Sequence, residues 1–231
     1  VTGQITRLNQ DTGQGEKEIK IGILIQKIGN EGNKSLKTAK INGKSTKIGN
    51  LSNNFNTVLF SPLEMNLLVN GPSKRRDFLD NLLSQSNDEY KKELSKYTKV
   101  RKQRNKVLET IREIGSGFAQ LKFWDEKLIE YGTSLQKKRA EFLNYANKNI
   151  NSIGQKIDPQ LETKIKYLKV DLSEEILKQY QAREIITATS LVGPHRDDFV
   201  FTSLEYGENQ DFSKFASRGQ QRTMILSLKM C

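Results

Sequence analysis

The sequence predicts an α/β fold in which strand-rich segments at both ends flank an inserted helical lobe. Three observations carry this. Lys17 to Gln26 places Ile19, Ile21, Ile23 and Ile25 at every second position, the period of a half-buried strand. From residue 61 onward apolar residues recur at three- and four-residue steps instead, through two long stretches joined at Gly115-Ser116-Gly117. After Ile153 alternation returns, ahead of a last amphipathic helix. The expected segments are 1–60, a β-rich part; 61–155, the inserted helical lobe; and 156–231, which completes the first lobe.

In the first segment, Lys34 to Ile48 alternates around Asn42-Gly43, the strongest short hairpin signal. A meander of antiparallel strands is expected, then a short helix near Leu51 to Phe55 and a buried strand from Thr57 to Phe60. Gly43-Lys44-Ser45 imitates the tail of a phosphate-binding P-loop. That motif needs a glycine at position 38, which is Thr38, and a helix afterwards, which Thr46 to Asn50 does not form. A hairpin turn explains it better.

In the second segment Pro72 and Ser73 open a helix with Phe78, Leu79, Leu82 and Leu83 as its apolar stripe. Lys74, Arg75 and Arg76 crowd its first turn, where cations oppose the helix dipole. They are either solvated charges or contacts for an anion such as DNA. The next helix, Asp88 to Ile114, carries Tyr90, Leu94, Tyr97, Val107, Leu108, Ile111 and Ile114 as an apolar stripe at three- and four-residue steps. Between positions 91 and 107 eight of its side chains are basic and Glu93 alone is acidic. Lys91, Lys92, Lys99, Arg101, Lys102, Arg104 and Lys106 are the candidate nucleic-acid contacts there; a solvated face is the alternative. A second long helix, from about Leu121 to Ile150, carries Leu121, Trp124, Leu128, Tyr131, Leu135, Phe142 and Ala146 at near-heptad spacing. The pair reads as an antiparallel helical hairpin, a projecting arm of ~40 Å at ~1.5 Å per residue, with Trp124 in its core.

In the third segment Lys164 to Val170 alternates as a strand, Ser173 caps a helix to about Ile186, and Phe199-Val200-Phe201 with a turn at Tyr206 to Asn209 leads to the last helix. That helix starts at Ser217, an N-cap with Gln220 three residues on as the return half of a capping box. Gly219 leaves its first turn bare, and Met224, Ile225, Leu226 and Leu228 supply a buried face. Free amides, a hydroxyl and a glycine at a helix N-terminus can seat a phosphate; an ordinary capped core helix would look the same.

The chain has 231 residues, enough for one or two domains. Its 38 basic and 27 acidic residues leave a charge of +11, which favours a polyanionic partner, nucleic acid before membrane. No apolar run approaches the ~20 residues that span a bilayer. Cys231 is the single cysteine, so no internal disulfide exists, as expected in a reducing cytoplasm. His195, the single histidine, lies beside Arg196, Asp197 and Asp198; alone it supports neither a catalytic triad nor a zinc site. Starting at Val1 and stopping inside a periodic helix, the chain reads as a piece of a longer protein.

Ser217-Arg218-Gly219-Gln220-Gln221 resembles the signature motif of ABC-type ATPases in the variant of the RecF family of bacterial recombination proteins. Two further blocks carry the resemblance: Leu191-Val192-Gly193-Pro194-His195-Arg196-Asp197-Asp198, and Val58 to Pro62 continuing through Gly71-Pro72-Ser73-Lys74-Arg75-Arg76-Asp77-Phe78-Leu79-Asp80 to Gln103-Arg104-Asn105. It extends from residue 57 to the C-terminus and is thin in 1–56.

The resemblance implies a mixed α+β ATPase lobe, here partial, with an inserted helical lobe. It implies ATP and Mg2+ as cofactors, DNA as partner, RecR- and RecO-type mediators, support of RecA assembly at gaps, and ATP-dependent homodimers. Ser217 and Gly219 would then meet the γ-phosphate of nucleotide held by the other subunit, Gln220 would cap the helix and Arg218 would add positive potential. His195 and Arg196 become candidate site residues without an assigned role. P-loop, Walker B acid and D-loop have no counterpart in these residues, so no catalytic or metal-binding residue is named and the chain alone is expected not to turn over ATP. The rivals are another ABC-type repair ATPase (RecN or SMC-like), which the short arm disfavours, and a non-catalytic basic adaptor.

Overall fold

The computed structural model describes residues 2–7, 17–28, 34–48, 51, 66–69, 71–203 and 211–231. The chain divides into two compact units, Val1–Thr57 and Val58–Cys231. The short helix expected near Leu51 to Phe55, the strand Thr57 to Phe60 and the turn at Tyr206 to Asn209 lie outside the described residues, Leu51 excepted.

The first unit holds a four-stranded antiparallel meander in the order β1 (Thr2–Arg7), β2 (Lys17–Ile28), β3 (Lys34–Ile41) and β4 (Lys44–Thr46). The register pairs Ile5 with Ile19, Ile23 with Ala39 and Ile41 with Lys44. Asn42 (φ 48°) and Gly43 (φ 81°) form the β3–β4 turn, both in the left-handed region that a two-residue hairpin loop requires. The Asn42 side-chain oxygen also accepts the Lys20 amide at 2.8 Å, stitching the turn to β2. The isoleucine stripe of β2 is buried only in part. Ile21 is covered, Ile23 is half-covered and Ile25 is 57% exposed.

The second unit is mainly helical: α1 (Asn66–Val69), α2 (Pro72–Ser86), α3 (Asp88–Ile114), α4 (Phe118–Gly154), α5 (Glu174–Thr187), α6 (Phe212–Phe215) and α7 (Arg218–Met230), with one two-stranded sheet of β5 (Thr163–Leu168) and β6 (Asp198–Ser203). Each long helix starts and stops for local reasons. Pro72 occupies N1 of α2. Asn87 ends α2 and caps α3, its side chain accepting the Tyr90 amide, with Asp88 and Glu89 in the first turn. Gly115 ends α3 in the left-handed conformation. Ser173 caps α5 by accepting the Ile176 amide.

α3 and α4 pack antiparallel along the expected stripes. Tyr90, Tyr97, Leu108, Leu121, Leu128, Leu135, Ala146 and Ile150 are fully buried, and Trp124 is half-buried against both core clusters. The hairpin is not the free arm that its length implied. Arg104, midway along α3, is held by Glu184 of α5, and Ile185 packs beside Val107, Leu108 and Ile111 close to the tip. The helical segment and the segment after it also share one core, in which Leu79, Leu135, Ile165, Phe199 and Met224 all participate.

The β5 edge is finished by side chains rather than by a third strand. Asn147 on α4 accepts the Ile165 amide at 2.6 Å and donates to the Ile165 carbonyl at 2.8 Å, and Asn151 one turn later accepts the Thr163 amide at 2.9 Å. This satisfies backbone groups that an open edge would leave bare.

Close approach to α4 occurs at Gly132, where an added Cβ would lie 2.6 Å from Leu172, 3.2 Å from Tyr97 and 3.4 Å from Pro194. Gly132→Ala is expected to destabilise the chain by about 1–3 kcal/mol although alanine is the better helix former. Denaturant unfolding of the two chains measures it, and an equal or higher midpoint for the alanine chain would show that the contact yields.

Candidate functional site

The N-terminus of α7 is built as its sequence predicts. The Ser217 Oγ accepts the Gln220 amide at 3.2 Å and the Gln220 Oε1 accepts the Ser217 amide at 2.9 Å, a complete capping box. The hydroxyl accepts in this arrangement, so its own proton remains free to be donated outward. Arg218 and Gly219 form the first turn, where helical amides lack intrahelical acceptors. Ser217, Arg218 and Gly219 are exposed and Gln220 half-exposed, while Met224, Ile225 and Leu228 are fully buried. The helix is thus anchored by one face and offers its first turn to the outside. A carbon added at Gly219 would meet only the Ser217 Oγ, at 3.7 Å, so the approach to that backbone is open.

The blocks 71–80 and 191–198 meet across a polar network. Arg75 chelates Asp198 through Nε and Nη2, both at 2.7 Å, and the Arg76 Nη1 donates to the Asp197 carbonyl at 2.9 Å. Behind them Arg139 of α4 donates from Nε to the Tyr90 hydroxyl (2.9 Å), from Nη1 to the Pro194 carbonyl (2.6 Å) and from Nη2 to Asp80 (2.6 Å). The Tyr90 hydroxyl also donates to Asp80. Asp197 accepts from the Tyr167 hydroxyl at 2.6 Å and from Gln136, and burial holds its carboxyl above the usual range. Burial likewise pushes the Tyr90 and Tyr167 phenols up, so both act as neutral donors.

His195 uses both ring nitrogens. Its Nε2 donates to the Ser190 carbonyl at 2.9 Å, which leaves Nδ1 to accept from the Tyr97 hydroxyl at 2.7 Å. Gly193 makes this possible: its φ is +119°, and a Cβ there would lie 2.6 Å from the Tyr97 oxygen. Burial, helped by Arg101, Arg196 and Arg76 and opposed by the bond to Ser190, lowers the imidazole pKa to about 4. His195 is therefore a neutral, fully engaged ring.

The basic residues of α3 divide. Lys92, Lys99, Lys102 and Lys106 are exposed, none is ion-paired among the described residues, and their three-, four- and seven-residue spacing sets them along the side opposite the buried stripe. Lys91 is half-buried beside this row. Arg101 turns away from it and lines a cavity with Tyr97 and His195. Arg104 contradicts its expected role in binding nucleic acid. It is fully buried, with Nε on Asp125 (2.6 Å), Nη2 on Glu184 (2.6 Å) and Nη1 on the Ser190 hydroxyl (3.0 Å). A guanidinium with three committed partners inside the core cannot meet a phosphate. Arg75, nearly buried and chelated, is likewise spent on the fold, whereas Lys74 and Arg196 are exposed. Asn105 completes the corner, accepting the Ser190 amide at 3.0 Å.

Among the described residues no three or more His, Cys, Asp and Glu side chains gather as a metal site, and no helix is long and apolar enough to cross a membrane. Sequence reasoning missed Arg139, Gln136 and Glu184. Arg139 and Gln136 stand among Leu135, Phe142 and Leu143 on the apolar side of α4, and a charge within such a stripe was the available signal.

No protein-family model matches the chain. It is 36% identical over 223 residues to the DNA replication and repair protein RecF of Agathobacter rectalis, covering 94% of this chain and 59% of that protein. With RecF of Lachnoclostridium phytofermentans it is 38% identical over 179 residues, covering 76% and 49%. Among solved structures it superposes on RecF-ATP, described as a recombination mediator protein in the RecFOR pathway, with a TM-score of 0.75 at 31% identity, over 93% of this chain and 58% of that one. RecF-ATPrS gives 0.73 at 29% identity. The class that these superpositions define is a mixed helix-and-strand fold shared with solved RecF structures. Within that class, the chain is similar to a segment of RecF-family proteins, spanning about half to three fifths of the length of the curated relatives it matches here.

The lowered His195 pKa has a thermodynamic consequence. Unfolded, the ring titrates near 6.5, and folded at about 4, so its contribution is fully present above pH 6.5 and is lost as pH falls toward 4. A loss on the order of 2–3 kcal/mol is expected over that window. Comparing the pH dependence of unfolding with that of His195→Gln isolates it; parallel curves would mean the ring protonates in place without cost.

Proposed function

We propose that this chain is the middle portion of a RecF-type DNA replication and repair protein. The proposed protein binds DNA, pairs with a second copy in an ATP-dependent way, and works beside RecO- and RecR-type mediators in the cytoplasm to help RecA assemble at gaps. The observation that carries the reading is the α7 turn, whose exposed hydroxyl, bare glycine and first-turn amides stand on a helix fixed to the core.

Such donors suit the terminal phosphate of ATP held by a partner copy: Ser217 through its hydroxyl, Gly219 through its amide, Arg218 through its charge, with Gln220 holding the turn. ATP would supply a charged bridge between two subunits. Magnesium, which accompanies ATP in this reading, is assigned to none of the described residues. The solved relatives named for their ATP complexes support nucleotide binding in the family.

DNA contact is assigned to Lys92, Lys99, Lys102 and Lys106, with Lys91 at the margin. From Lys92 to Lys106 this row runs about 21 Å along α3, long enough to follow several phosphates of a duplex strand. Ammonium groups on flexible stems suit that non-sequence-specific task.

Two measurements test the reading. Replacing Lys92, Lys99, Lys102 and Lys106 together by glutamine is expected to flatten the slope of log affinity against log salt by roughly 3 units; an unchanged slope removes α3 from the interface. In a full-length RecF protein carrying this segment, Ser217→Arg is expected to abolish ATP-dependent pairing in sedimentation while the chain stays folded, with loss of the α7 cap lowering its stability by only about 1 kcal/mol. Undiminished pairing would sink the assignment of the turn.

A further inference from the structure

The start of α2 carries cations that neither the polar network nor the lysine row accounts for. Gly71, Pro72, Ser73, Lys74, Arg76 and Arg196 bound an open groove of about 550 Å³. Three of these six are cationic and none is acidic. Lys74 and Arg196 are exposed and among the described residues neither is ion-paired, although they come from blocks more than a hundred residues apart in the chain. Arg76 gives one nitrogen to the Asp197 carbonyl and keeps the rest of its donor fork.

Three of the nearby carboxylates are occupied. Arg75 chelates Asp198, Arg139 holds Asp80, and Asp197 accepts from Tyr167 and Gln136. Asp77 lines the adjoining cavity but not the groove. Burial lowers the Arg76 pKa, and the positive Arg139 and Arg196 lower it further against the pull of Asp198 and Asp77. Within the groove lining itself the three cations stand without an acidic residue.

The backbone adds to it. Pro72 has no amide proton, so Ser73 presents the first free amide of a fifteen-residue helix beside its own hydroxyl. A carbon placed on Gly71 would meet nothing within 4 Å, so the approach is unobstructed. Behind Arg76 a second cavity, of about 290 Å³, shares Ser73 and Arg76 with the groove and is walled by Tyr97, Arg101 and His195.

We propose that this groove is a discrete phosphate-binding site in which Lys74, Arg76, Arg196 and the Ser73 amide and hydroxyl hold one phosphate group. It is distinct from the lysine row of α3 on which the DNA reading rests, and it does not depend on that reading. The phosphate is either a diester of a nucleic-acid backbone or a free phosphate.

His195 makes the site observable. As the single histidine of the chain, it gives one set of ring resonances in a nuclear magnetic resonance spectrum, from a position next to Arg196 and near Arg76. Titrating the whole chain with sodium phosphate is expected to move those resonances saturably, whereas sodium chloride at equal ionic strength does not. Arg196→Gln and Lys74→Gln should each weaken the response about tenfold, the loss of one charge-assisted contact. Both residues are exposed, and thermal unfolding confirms that the variant chains are folded. Glutamine at Lys92, Lys99, Lys102 and Lys106 should leave the phosphate response intact, which separates this site from the DNA surface. A thymidine oligonucleotide without terminal phosphates supplies the second arm: a matching response assigns the site to backbone diesters, and a response to inorganic phosphate alone assigns it to a free phosphate. If chloride reproduces the shift, or both single variants respond like the parent chain, the site does not exist.

Discussion

The guanidinium of Arg139 is the contact on which the larger unit depends. One buried side chain reaches Asp80 on α2, Tyr90 on α3 and the Pro194 carbonyl in the loop before β6, so three segments far apart in the chain meet on one planar fork. Burying a charge costs several kcal/mol unless geometry and hydrogen bonds compensate, and every nitrogen of this group has a partner. Removing any acceptor would leave a cation in the core. The network therefore fixes where the loop carrying Gly193 and His195 lies against the helical hairpin. Packing of Leu135 and Leu143 on either side supplies cohesion but could not by itself choose that register.

Two populations of basic residues follow from this arrangement, and they differ in kind. Arg75, Arg104 and Arg139 are consumed inside the fold, where a rigid fork satisfies several acceptors at once. Lys92, Lys99, Lys102, Lys106 and Lys74 stand in water. The net charge of +11 thus understates how sharply the cations are sorted. Lysines make up the outer row on α3, whereas Arg75, Arg104 and Arg139 are internal fasteners and Arg76, Arg101 and Arg196 line cavities.

Periodicity made most of the elements legible. The isoleucine alternation marked β2, the three- and four-step stripes marked α3 and α4 with ends close to those observed, and Ser217 with Gln220 marked the capping box bond for bond. What could not be read was pairing across long separations. Nothing local distinguishes Arg104 from Lys102 until Glu184, 80 residues away, is known to lie beside it. For the same reason the hairpin was taken for a free arm, since the helix that flanks it comes later in the chain. The edge-finishing role of Asn147 and Asn151 was equally hidden, because two asparagines one turn apart look like ordinary surface polarity.

The reciprocal bonds between Ser217 and Gln220 fix the shape of the first turn of α7. Ordering a loose loop around an incoming group would consume conformational entropy, typically about 1–2 kcal/mol for each backbone residue fixed. Here that cost has been met during folding, so an anion docking there would find donors already aimed and lose only its own freedom. Preorganisation of this sort favours a fast, reversible grip, engaged and released without rebuilding the protein around it.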